Sequence, residues 1–185
     1  MHASLRHFDH SAPAPDCLDE LIAPVADAVR HWRGSVPAEH IVYVDTDPEW
    51  ADTAAFVEHY GPELLGQSAN CVVVSGKRGG ETTLAACVVP SAARVDVNGA
   101  VRRRLGARKA SFAPMDTATG ASGMEYGGIT PFGLPVDWPV LVDPAVVDLP
   151  YVLLGSGRRR GKLLVPGKAL AELPGAVVLD GLGVA

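Results

Sequence analysis

The spacing of apolar positions changes character several times along the chain, and each change marks an expected element. Leu18, Leu21, Ile22, Val25 and Val29 recur at helical spacing toward Trp32, which predicts a helix capped by Asp16, kinked at Pro24 and stopped by Gly34. Ahead of it, residues 1–15 hold three histidines and a Ser-Ala-Pro-Ala-Pro run. Proline cannot complete a ladder, so this stretch is expected to be a flexible lead-in. Ile41 to Val44 predicts a short strand, and Asp47-Pro48 then opens a second helix running to about Tyr60. Asn70 to Ser75 and Glu81 to Val89 are β-branched runs joined by Gly76-Lys77-Arg78-Gly79-Gly80, the pattern of a β-hairpin with a five-residue turn.

Downstream, Asp96 to Leu105 predicts a helix ended by Gly106, followed by a short strand at Lys109 to Phe112. Residues 120–139 then carry five glycines and three prolines, interleaved with Met, Tyr, Ile, Phe and Trp. A long segment of this kind is usually functional or disordered, and its large apolar side chains argue for order. Strands are expected at Val140 to Val142, Tyr151 to Leu154, Lys162 to Val165 and Val177 to Leu179, with a short helix from Pro166 to Leu173. No internal repeat or boundary divides residues 16–185, so the pattern is that of one α/β (α+β) domain.

Composition narrows the class. A chain of 185 residues with 48% hydrophobic and 20% charged residues fits a single globular core. No apolar run approaches the ~18 residues of a membrane span, and the start of the chain has no apolar signal core, so neither membrane insertion nor secretion is expected. Cys17, Cys71 and Cys87 are odd in number and widely spaced. That pattern fits neither a disulfide framework nor a cysteine zinc site, and points to the reducing cytoplasm. The net charge is -5, yet residues 1–93 hold 13 acids against 5 bases while residues 94–185 hold 8 acids against 11 bases. Such a division suits a local contact with phosphates better than adhesion along a whole nucleic acid.

Familiar catalytic motifs fail on inspection. The lysine at Gly76 to Thr82 comes early in a hairpin turn, whereas a phosphate loop needs G-x-x-x-x-G-K-[ST] opening a helix. Gly155-Ser156-Gly157 lacks one residue of a nucleophile elbow, and the six histidines all fall in the first third of the chain, away from it. His7-x-x-His10 lies in the lead-in, where a flexible tail explains it better than a metal site. No metal or cofactor is assigned. Two basic clusters remain, Arg102-Arg103-Arg104 with Arg108 and Lys109, and Arg158-Arg159-Arg160 with Lys162. Three successive helical residues fan over about 200°, so a solvated face competes with phosphate binding as their explanation. The run Gly127-Gly128-Ile129-Thr130-Pro131-Phe132-Gly133 can bring backbone N–H groups close to a carbonyl or an oxyanion, or can be a purely structural multi-turn loop.

The run GGITPFGLP, the strand ending in Asp143 (PVLVD) and LLGSGRRRGKLLV resemble, in that order, the YbaK and prolyl-tRNA synthetase editing-domain family of aminoacyl-tRNA deacylases. Gln67 to Val74 resembles the family's strand entry, and Val101 to Phe112 its helix and strand before the glycine segment, so the resemblance covers about residues 40 to 180. It implies a compact domain with a mixed, barrel-like sheet that hydrolyses the ester joining a wrong amino acid to tRNA, acting on the acceptor end alone or beside a synthetase. It implies chemistry by backbone groups and a hydroxyl of the terminal adenosine, without a metal. Gly127, Gly128, Pro131 and Gly133 inherit the catalytic loop role. Asn70, Thr130, Asp143 and Ser156 are substrate-pocket candidates, and Arg158, Arg159 and Lys109 are candidates for tRNA contact. Asn70 stands where many members carry a lysine that grips the substrate's 3′ end; asparagine offers an amide donor and acceptor but no charge. A different class remains open: a non-catalytic module that binds aminoacyl-tRNA or a small acyl ligand.

Overall fold

The computed structural model describes residues 3–185. Its strands are β1 Ser11–Pro13, β2 Val42–Val44, β3 Ala69–Arg78, β4 Glu81–Pro90, β5 Arg94–Val95, β6 Lys109–Phe112, β7 Val140–Val142, β8 Val152–Gly155, β9 Lys162–Val165, β10 Ala176–Val178 and β11 Gly183–Val184. The α-helices are α1 Ala23–Arg30, α2 Thr53–Tyr60, α3 Arg102–Arg104, α4 Met115–Ser122 and α5 Pro144–Val147.

The expected hairpin forms the centre of the molecule, but its turn is shorter than the glycine count suggests. β3 and β4 stay paired out to Arg78 and Glu81, so only Gly79 and Gly80 turn the chain. Both have positive φ, at +57° and +87°, as a tight two-residue hairpin requires. Around this hairpin a mixed five-stranded sheet runs in the order β10-β7-β4-β3-β6, with β7 parallel to both β4 and β10. Parallel neighbours need long crossovers. The connection from β4 to β7 carries the basic helix and the glycine-rich segment, while that from β7 to β10 carries β8 and β9.

A second, antiparallel sheet runs β1-β2-β9-β8. Besides packing on a shared core, the two sheets are linked among the described residues by an isolated parallel bridge from Ser68 to Leu153, and they do not close into the barrel-like sheet that was expected. The mixed α/β architecture itself is as anticipated. The main core gathers Val25 and Val29 of α1, Tyr43 of β2, Val88 of β4, Val140 and Val142 of β7, and Leu163 and Val165 of β9. A separate cluster packs Phe56 of α2 against Val44, Leu153 and Leu164. Strand β9 therefore feeds both: period-two alternation sends Leu163 and Val165 to one face and Leu164, with Lys162, to the other.

Several expected elements shift. The first helix begins at Ala23 rather than Asp16, and residues 14–16 and 18–20 form separate 3₁₀ turns. Pro24 consequently occupies the first helical turn, where its missing N–H costs nothing, and makes no kink. The lead-in is not free along its length: Ser11–Pro13 pairs with β2, Phe8 is buried, and Ala14 is fully buried. Proline at the end of an edge strand does not need the ladder bond it cannot make. Residues 1 and 2 lie outside the described part. Asp47 caps as expected, accepting from Glu49 N at 2.8 Å, but only a 3₁₀ turn follows before α2 starts at Thr53. Helix α4 occupies the front of the segment read as loop from Gly120, ending at Gly123 with φ +69°. No helix among the described residues is long and apolar enough to cross a membrane.

Candidate functional site

The open half of the glycine-rich segment faces a cavity of about 450 Å³. Its floor is the start of β3, at Asn70 and Cys71. One wall comes from Asp52 and Thr53 at the start of α2, another from Phe112 and Met115 after β6, and the rim from Tyr126, Gly127 and Lys162. With Gly155, six separate stretches of the chain converge, and polar groups are few enough to account for singly.

Asn70 is held in a defined orientation. Its Oδ1 accepts from Thr53 Oγ1 at 3.0 Å and from Ser91 Oγ at 3.3 Å. Two hydroxyl donors fix the carbonyl side of the amide, and its NH₂ donors have no acceptor among the described residues. Cys71 shares the floor, and burial pushes its thiol pKa up, which disfavours the thiolate. Lys162 Nζ donates to the Ala51 carbonyl at 3.2 Å and lies 4.8 Å from the centroid of the Phe56 ring. Burial lowers its pKa from 10.5 to about 8; Asp52 opposes that shift and Arg159 adds to it.

The glycine-rich segment and the arginine turn prove to be one assembly. Glu125 N donates to Gly157 O at 2.9 Å, Gly157 N to Gly128 O at 2.8 Å, and Arg159 N to Glu125 Oε2 at 2.7 Å. Within this lattice the glycines do different work. Gly128 N already donates to Glu125 O at 3.0 Å, and a Cβ on Gly128 would sit 2.2 Å from the Arg158 carbonyl oxygen. Gly128 is therefore required for close packing, and its amide is spent. Gly127, at φ +81°, lines the cavity, and its N–H has no acceptor among the described residues. Of the two, Gly127 is the one that offers a donor.

The other residues singled out from the sequence fall elsewhere. Pro131 and Gly133 line a separate cavity of about 400 Å³ beside Trp32 and Phe132, and a Cβ on Gly133 would sit 2.2 Å from the Pro24 carbonyl oxygen. Thr130 is fully buried, with its N–H 3.4 Å from Met124 Sδ. Asp143 caps α5, accepting from Ala145 N at 2.8 Å, and ties down the chain's end by accepting from Gly183 N at 2.7 Å. Ser156 lies beneath the arginine turn, where its hydroxyl donates to Arg160 O at 2.9 Å. None of these five lines the first cavity.

The basic residues divide in the same way. Arg159 reaches Asp52 at 3.6 Å and donates to Pro48 O at 3.2 Å, on the cavity rim. Arg160 turns away to a two-point pair with Asp45, both contacts at 2.8 Å, which holds the Asp45 carboxyl below its usual range. Lys109 lies on a different groove with Lys77, Arg102 and Arg108, at the hairpin end of β3 and β6. Phe112, on the cavity, is three residues along β6 from it, or about 10 Å by strand rise. The two clusters therefore do not flank one groove. Lys162 is the site residue that the sequence reading misplaced, by counting it with the surface arginines. Its phase with Leu164 in K-L-L-V was the available signal.

The sequence matches the aminoacyl-tRNA editing domain family over residues 47–173. No curated protein matches the chain. Among solved structures, one described as "a putative trans-editing enzyme for prolyl tRNA synthetase" superposes with a TM-score of 0.69 at 20% identity, covering 100% of this chain and 99% of that one. A scaffold protein from work on epitope backbone grafting by computational design gives 0.66 at 19% identity over 97% of this chain and 98% of its own. A hypothetical protein gives 0.61 at 23% identity over 72% of this chain and 85% of its own. At these identities the structures speak for the fold.

Proposed function

The chain belongs to the aminoacyl-tRNA editing domain family, and on that premise we propose that it is a free-standing deacylase that hydrolyses the ester of mischarged tRNA. The observation that carries this reading is the cavity: all its lining residues, from Ala51 to Lys162, lie inside the matched span. It has the size of a small-ligand site and joins fixed polar groups to an unshielded backbone.

In this reading the aminoacyl ester lies between Asn70 and Gly127. Water attacks the carbonyl carbon, the oxygen gains negative charge, and the bond to the ribose oxygen breaks as that oxygen takes a proton. The Gly127 N–H supplies a donor to the developing oxyanion, and the Asn70 amide donates to the amino-acid portion or the ribose. No histidine lines the cavity among the described residues, so the proton transfers fall to water and to the substrate's own adenosine hydroxyl. Arg158 and Arg159 contact the acceptor strand at the rim, while Lys109 can meet only a more distant part of the same tRNA. The synthetase that mischarges the tRNA is the natural neighbour, and the cytoplasm the compartment.

The test is deacylation of a panel of tRNAs charged with different small amino acids, with and without chelator. Turnover of at least one substrate, faster than spontaneous hydrolysis and indifferent to chelator, is the expected result. Binding without turnover across the panel identifies a non-catalytic module instead, and turnover abolished by chelator removes the metal-free chemistry.

A further inference from the structure

Lys162 brings to the cavity an ammonium that no carboxylate pairs directly among the described residues. An ammonium has three N–H donors. At Lys162 the Ala51 carbonyl takes one, and no carboxylate of the described residues lies at ion-pair distance. Asp52, the acid of the cavity wall, is paired with Arg159 at 3.6 Å. Asp52 is thus already engaged, and Lys162 has no carboxylate of its own at ion-pair distance among the described residues.

A cation withdrawn from water without a partner destabilises the fold, and an aliphatic residue of similar length fills the same space without that cost. The stem of Lys162 already lies on the Leu164 face of β9, beside Phe56, where an apolar residue fits. The Ala51 carbonyl and the face of the Phe56 ring satisfy the ammonium only in part. The chemical group that complements it is an anion with at least two acceptor oxygens.

We propose that Lys162 is the anion-binding residue of this cavity, its two remaining N–H donors taking oxygens of the phosphate on the terminal nucleotide of the acceptor strand. The source of that phosphate rests on the deacylase reading; the anion site does not. A free phosphate presents the same oxygens, so the experiment separates the two sources.

Wild type, Lys162→Met and Lys162→Arg are titrated calorimetrically at pH 7 with adenosine 5′-monophosphate, adenosine and inorganic phosphate, and the thermal unfolding midpoint of each protein is recorded. The monophosphate is expected to bind wild type at least about 10-fold tighter than adenosine, the worth of one charge-assisted contact. Lys162→Met binds the two alike and unfolds at the same or a higher temperature. Lys162→Arg keeps part of the preference. A purely structural lysine behaves in the opposite way: Lys162→Met then loses stability and leaves the preference intact.

Equal binding of adenosine and its monophosphate to wild type overturns the proposal and leaves the deacylase reading standing. Inorganic phosphate binding as tightly as the monophosphate, with adenosine not bound and the phosphate lost in Lys162→Met, keeps the anion site but removes the nucleotide as its occupant. A preference that survives in Lys162→Met, a variant that loses stability in step with binding, or no binding of any of the three compounds to wild type overturns the proposal.

Discussion

Gly127 and Gly133 belong to one glycine-rich segment and share nearly the same backbone conformation, at φ +81° and +79°, yet their surroundings are opposed. A methyl group on Gly127 would meet the end of the Arg159 side chain at 2.7 Å, a group able to swing aside, while the residue itself faces the cavity. A methyl on Gly133 would meet the Pro24 carbonyl oxygen at 2.2 Å, in the rigid first turn of α1. Gly127 thus faces the first cavity, while Gly133, although it borders the second, is packed tightly against the start of a helix. Motif and torsion angle alone do not separate a cavity-lining glycine from a packing glycine; the identity of the nearest atom does.

The largest effect is expected where that packing is broken. Gly133→Ala adds positive-φ strain to a backbone collision, a loss of about 2–5 kcal/mol in denaturant unfolding, and Gly128→Ala, which meets the Arg158 carbonyl without that strain, should lose about 1–3 kcal/mol. Any Gly133→Ala molecules that fold should keep their deacylation rate. Selective loss of rate with an unmoved unfolding midpoint would reverse the comparison.

Gly127→Ala is the converse. Strain should cost about 1–2 kcal/mol of stability, while a displaced donor should cost deacylation on the order of 100-fold in single-turnover assays. Full activity in this variant would return Gly127 to a structural role.

The first cavity can also be probed by pH through Lys162. The folded pKa of Lys162, about 8, lies below its ordinary 10.5, so between these values the unfolded chain holds a proton that the folded chain has released. Stability then rises with pH across that window. Asp52 and Arg159 are the charged groups facing it. Urea unfolding of wild type and Lys162→Met at several pH values from 7.5 to about 10 should show wild type gaining on the variant above about 8. A constant difference would mean that Lys162 is solvated.

A smaller change is expected at Asn70. Asn70→Ala leaves the hydroxyls of Thr53 and Ser91 without their acceptor, a loss of about 1 kcal/mol, and should reorder the amino acids removed from the panel. A uniform rate loss would assign Asn70 to positioning alone. The smallest effect belongs to the arginine turn. Replacing Arg158 and Arg159 by glutamine should lower the log–log salt slope of tRNA binding by roughly 0.7 per lost contact, and an unchanged slope would mark both as solvated.

How much of this was legible in the sequence depends on the range of the interactions involved. The hairpin, the Asp47 cap and the stop at Gly106 follow from local chemistry: β-branched alternation, a side-chain oxygen two residues from an amide, and a glycine at φ +60°. The order of three segments was enough to point to the family. Asn70 and Gly127 were named from it, and both line the cavity. Of the other residues the resemblance implies, Pro131 and Gly133 border the second cavity, Gly133 packs on Pro24, Asp143 caps a helix and Ser156 ties the arginine turn.

The sequence by itself determined where strands alternate, where glycine permits a turn and which segments resemble the editing-domain family, because these depend on residues within a few positions of one another. Tertiary structure decided which face of the glycine-rich segment remains open, that the arginine turn is bonded to it, and that Lys162 reaches a cavity floored by β3. Those outcomes depend on contacts such as Lys162 to Ala51 and Gly133 to Pro24. Each joins residues more than a hundred positions apart, a distance that no local pattern of apolar and polar residues can encode.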